Sequence, residues 1–90
     1  MARTVYVVVS KDAINDRKSR ERYVVYDGVR IFKIGKLTEL KNVDEVFMDA
    51  IYPSIYAEVL ELLRSGVKVY VLKDRRILEK YKKEMVGEDD

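Results

Sequence analysis

Residues 5–9, Val-Tyr-Val-Val-Val, form an unbroken β-branched and aromatic run, the pattern of a strand covered on both faces. Residues 10–22 are polar and charged and predict a loop or a loosely helical excursion. Runs 22–26 and 29–34 then flank Asp27-Gly28, the two-residue signal of a type I′ hairpin. That register pairs Tyr26 with Val29, Val24 with Ile31 and Tyr23 with Phe32, which stacks apolar side chains across both faces. Gly35 ends the hairpin, residues 37–41 predict one or two helical turns, and 43–48 predict a strand closing at Asp49. Pro53 suits the first position of a helix, in which Ile55, Val59, Leu62 and Leu63 recur at helical spacing up to a Ser65-Gly66 stop. Residues 67–72 predict the next strand. Asp74 is placed to cap a final helix with Ile77, Leu78, Tyr81 and Met85 as its apolar stripe.

The order is therefore β-β-β-α-β-α-β-α. The first three strands suit a meander, and the last two, joined through a helix, should run parallel with a right-handed crossover. The expected fold class is α/β, with a mixed five-stranded sheet and helices packed on it. Residues 1–87 form a single domain and 88–90 an acidic tail, with no repeat, linker or low-complexity tract. Residues 29–34 would lie at a sheet edge, where Arg30 and Lys33 blunt pairing; if that edge pairs with its own copy, the protein is a homodimer.

Composition narrows the chemistry. The 90 residues contain neither His nor Cys, which excludes imidazole and thiol catalysis, disulfides and zinc sites. Any metal would be a hard cation held by oxygen. The absence of Gln and Cys, two Asn (Asn15, Asn42) and 38% charged residues fit a thermophilic source. The run at 5–9 is too short to span a bilayer and follows Met1 too closely to be a signal segment, so the chain is expected to be cytoplasmic and free of membrane. Isolated glycines provide no phosphate-cradling loop.

The element order is the one expected of an RNase H-like fold, and one set of motifs goes further. Val9-Ser10-Lys11-Asp12-Ala13-Ile14, then Val46-Phe47-Met48-Asp49-Ala50, then Gly66-Val67-Lys68-Val69-Tyr70-Val71 resembles the amino-terminal part of RuvC-like (DEDD-type) transposases. The likeness runs from residue 5 to 83. It implies a nucleic-acid context and, in an active member, acids that hold Mg²⁺. The family's first catalytic Asp falls at Val8 here, Asp49 stands where the family has Glu, and the family's last two acids would lie beyond residue 90. The resemblance thus carries over the fold more readily than the activity.

Asp12, Asp49 and Asp74 each follow a strand: the first, the fourth and the fifth. If those strands are parallel neighbours, the carboxylates gather at the edge where open α/β sheets bind ligands. Three carboxylates can hold Mg²⁺ for phosphodiester hydrolysis. The local alternative is a helix cap for Asp74, a helix approach for Asp49 and a turn for Asp12.

Basic residues cluster twice. Lys11, Arg17, Lys18, Arg20 and Arg22 populate the first loop, offset by Asp12, Asp16 and Glu21. Lys73, Arg75, Arg76, Lys80, Lys82 and Lys83 crowd the last strand–helix junction against Asp74 and Glu79, for a local net of +4. The whole chain, with 18 basic and 16 acidic residues, carries only +2. Arg17, Lys18, Arg20, Lys73, Arg75, Arg76, Lys80 and Lys83 are the candidate phosphate contacts; the alternative is a solvated Lys/Glu-rich helix face. Seven Tyr against two Phe could stack bases on an open sheet face. Without an RNP-type Gly-Phe-x-Phe pattern, they read instead as the rim of a thin core. The expected protein is a small, non-catalytic RNase H-like module associated with DNA or RNA, needing no cofactor. The alternatives are a Mg²⁺-dependent nuclease using Asp12, Asp49 and Asp74, and a homodimeric interaction scaffold.

Overall fold

A computed structural model of the chain describes residues 3–16 and 18–72. Five strands, β1 (Thr4–Val9), β2 (Tyr23–Asp27), β3 (Arg30–Ile34), β4 (Glu45–Met48) and β5 (Lys68–Val71), form one open sheet in the order β3-β2-β1-β4-β5. β1 is antiparallel to β2 and β2 to β3, whereas β1, β4 and β5 run parallel. The described part is thus a small α/β domain with a mixed five-stranded sheet and one α-helix, α1 (Tyr56–Arg64). Among the described residues no helix is long and apolar enough to cross a membrane.

The apolar run at the chain start becomes the central strand because both of its faces can be covered. Val5, Val7 and Val9 share one face with Val25 and Tyr23 of β2 and with Val46 and Met48 of β4, as the register requires. Ile14, Leu37, Ile55, Val59 and Leu62 close over that face to make the core. On the opposite face Tyr26, Tyr6, Phe47 and Tyr70 occupy one transverse row over β2, β1, β4 and β5. The Tyr6 and Tyr26 rings meet edge to face at 5.8 Å, and Phe47 stacks on Tyr70 at 5.1 Å. Tyr6 and Tyr23 are fully buried, while Tyr70 is half-exposed.

The hairpin register differs from the one the Asp27-Gly28 signal predicts. Asp27 pairs with Arg30, Tyr26 with Ile31, Val25 with Phe32 and Tyr23 with Ile34, so the two-residue loop is Gly28-Val29. Within the hairpin Gly28 alone has positive φ, +61°, which is the sign pattern of a type II′ turn with Gly first. A type I′ turn would force Asp27 itself to positive φ; sliding the loop by one residue puts the only positive φ on a residue without a Cβ. Each residue's partner shifts by two, so the residues that share a face still share it.

Residues 37–41 contribute one 3₁₀ turn, Leu37–Glu39. The Glu39 carboxylate accepts from the Gly35 and Lys36 amides at 2.9 and 2.8 Å, tying the turn to the hairpin end. Pro53 opens a 3₁₀ turn, Pro53–Ile55, that runs straight into α1. The helix ends in a Schellman pattern: Gly66 N–H donates to Leu63 O and Val67 N–H to Leu62 O, both at 3.0 Å. Ile55, Val59 and Leu62 are buried, but Leu63, expected in the same stripe, is 49% exposed. At about 100° per residue, position 63 is turned off the line of the other three. β3 is an edge strand with exposed Arg30 and Lys33. The final helix expected from Asp74 and the acidic tail lie outside the described residues.

Candidate functional site

Parallel neighbours β1 and β4 end side by side, and each chain turns away there. From β1 the path goes to β2 on one side, while β4 leads on to β5 on the other, so the β1/β4 boundary is where the direction of winding changes. Crevices outside the carboxyl ends of strands at such a boundary are the usual ligand sites of open α/β sheets. A cavity of about 610 Å³ lies between the two loops, lined by Lys11, Ile14 and Asn15 after β1 and by Tyr52, Pro53 and Ser54 after β4. That volume is within the range of small-ligand sites. Its walls combine one cation, amide and hydroxyl groups, and an apolar surface from Ile14, Pro53 and the Tyr52 ring.

Asp49 closes the seam between the ends of β1 and β4. Its Oδ1 accepts from Val9 N–H at 3.0 Å, and its own N–H donates to Val7 O at 3.3 Å. The carboxylate thus continues the β1–β4 ladder by one rung after the strands diverge. Asp12 is exposed in the turn after β1, and Asp74 lies outside the described residues. Among the described residues no three acidic side chains gather to hold a metal ion. Val8, on the strand before the Asp12 turn, is half-buried.

The basic cluster of the first loop divides into two kinds of residue. Lys11, Lys18 and Arg20 are exposed, but Arg22 is 4% exposed and is not available to a phosphate. Its Nε and Nη2 donate to Ile14 O at 3.2 and 2.8 Å, and Nη1 donates to Glu58 Oε2 at 3.0 Å. Nη1 also reaches Gly35 O at 3.4 Å. Gly35 itself is packed so tightly on the loop that an added Cβ would meet Ser19 O at 2.8 Å. Burial of a guanidinium is tolerable only with its charge compensated and its donors occupied, and this arrangement supplies both. Glu58 additionally accepts from Tyr23 Oη at 3.1 Å and from Leu37 N–H at 2.8 Å. Burial, with the Glu58 charge and hydrogen bond adding to it, pushes the Tyr23 hydroxyl well above the ordinary tyrosine value, and Arg22 only partly offsets this.

Arg17, Lys73, Arg75, Arg76, Lys80 and Lys83 lie outside the described residues. Glu58, Tyr52 and Ser54 carry no motif that marks them in the chain. Each owes its place to a contact or cavity between segments distant in sequence. No protein-family model matches the chain, and none of the curated proteins or solved structures compared with it matches either.

Proposed function

We propose that this chain is a nucleic-acid-associated module on an RNase H-like sheet, resembling the first part of a RuvC-like transposase, and that it binds DNA or RNA without cleaving it. The strand order β3-β2-β1-β4-β5 with its antiparallel meander and three parallel strands supports the fold assignment. The observation that carries the functional reading is the groove at the carboxyl ends of β1 and β4 with Lys11 in its wall. The same loop also presents Lys18 and Arg20 to solvent. Cations in that position neutralise phosphates independently of base sequence. The Tyr52–Pro53 wall, with Pro53 exposed and Tyr52 partly buried, adds a surface on which an unpaired base can lie. Val8 in place of an acid and an Asp49 oxygen already engaged by Val9 N–H support binding without hydrolysis.

Fluorescence anisotropy with labelled single-stranded DNA, single-stranded RNA and duplex tests this reading. Binding at low salt that disappears at high salt, with the nucleic acid intact after incubation with Mg²⁺, is the expected result. Failure to bind any of the three at low salt overturns it. Mg²⁺-dependent cleavage abolished by Asp49→Asn would instead establish the nuclease.

A further inference from the structure

We infer that Arg22, charge-balanced by Glu58, is the positioning residue of the β1–β4 groove: it sets the shape of the binding loop without touching the ligand. The inference rests on the reading of that groove as the binding site. Lys11, Ile14 and Asn15 form one wall of the cavity, and all three belong to a loop with little regular structure. Among its described residues the backbone closes single turns, Ala13 N–H to Ser10 O at 3.3 Å, Asp16 N–H to Ala13 O at 3.0 Å and Ser19 N–H to Asp16 O at 3.0 Å. Such turns alone hold a loop weakly.

The fixed point is the last residue of the loop, next to β2. The Ile14 carbonyl receives two donors from the Arg22 guanidinium, at 2.8 and 3.2 Å. The Arg22 carbonyl accepts the Ser10 amide at 2.9 Å. The start and the middle of the loop are therefore tied to one residue, main chain to Ser10 and side chain to Ile14. The guanidinium is in turn anchored on α1 through Glu58 and on the end of β3 through the Gly35 carbonyl. Glu58 also holds the Leu37 amide. The wall that carries Lys11 is thereby locked to α1 and the 3₁₀ turn, with Ser54, another lining residue, two residues before α1 begins.

A planar fork of five donors suits this task; an ammonium is a single point charge and cannot span the same acceptors. Arg22→Lys keeps the charge and loses the geometry, so it separates positioning from electrostatics. Amide hydrogen exchange on the free protein is the primary readout. The expected result in Arg22→Lys is exchange at Ala13 and Asp16 faster by about tenfold or more, with the β1 amides of Val5 and Val7 unchanged. Affinity for single-stranded DNA should fall about tenfold while its salt dependence stays the same, because no phosphate contact has been removed. Loop exchange equal to wild type overturns the proposal. If Arg22→Lys does not fold, the wild-type guanidinium signals decide the matter. An Arg22 Nε–H resonance protected from solvent supports the clamp, and rapid exchange with water overturns it. Wild-type protein that binds no nucleic acid while the exchange results hold refutes the binding reading and leaves the clamp standing.

Discussion

Arg22 sits in the chain as one of five basic residues between positions 10 and 22, and nothing in that stretch separates it from Lys18 or Arg20. Its partners are an Ile14 carbonyl eight residues back, a Gly35 carbonyl 13 residues on and a carboxylate 36 residues on, distances over which local pattern carries no information. The consequence is a contrast between two ion pairs. Removing Glu58 leaves the Arg22 charge buried, so Glu58→Ala should cost on the order of 3 kcal/mol in urea unfolding, the low end for a buried pair because Glu58 is partly wet. Lys33 and Glu21 are paired at 3.5 Å but with side chains 55% and 68% exposed. Lys33→Ala should therefore move the midpoint by no more than about 0.5 kcal/mol. Tyr23 adds a pH signature. Its hydroxyl holds its proton in the folded protein to higher pH than in the unfolded chain, so above about pH 10 the native state binds more protons than the unfolded one. Stability should fall there as pH rises, by up to about 1.4 kcal/mol per pH unit from this group. In Tyr23→Phe that part of the slope should be missing from an alkaline urea series.

At the scale of elements, pattern was most informative where one face of an element alone decides its place. The β-branched run, the Pro53 start and the Ser65-Gly66 stop correspond to β1, the turn into α1 and its Schellman end. The hairpin was legible as a hairpin but not in its register, because Asp-Gly and Gly-Val both offer a glycine and only the backbone sign at Asp27 distinguishes them. Asp49 shows the same limit. Its position after a strand was visible, but its role as an extra rung to Val9 depends on β1 and β4 being parallel neighbours. That role makes a prediction opposite to a catalytic one. Asp49→Asn keeps an oxygen acceptor and should leave thermal stability within about 0.5 kcal/mol, whereas Asp49→Ala orphans the Val9 amide and should cost about 1–3 kcal/mol. Equal loss in both variants would show that the charge, and not the hydrogen bond, is what the fold uses.

For the whole molecule, the totals understate what the surface does. A net charge of +2 is spread over a sheet whose carboxyl-end groove has Lys11 in its wall, with Lys18 and Arg20 exposed on the same loop. The cluster that composition alone suggested is reduced by one member, because Arg22 belongs to the interior. The groove itself was beyond the reach of pattern, since it forms only when the loops after β1 and β4 are brought together by sheet order. The most direct test is the salt dependence of single-stranded DNA binding by wild-type protein and by the Lys11→Ala, Lys18→Ala, Arg20→Ala triple variant. If these three residues meet phosphates, log K should change with log salt with a wild-type slope steeper than the variant's by about 2, at roughly 0.7 per contact. Equal slopes for the two proteins, or no wild-type binding at low salt, would contradict the proposed nucleic-acid interface.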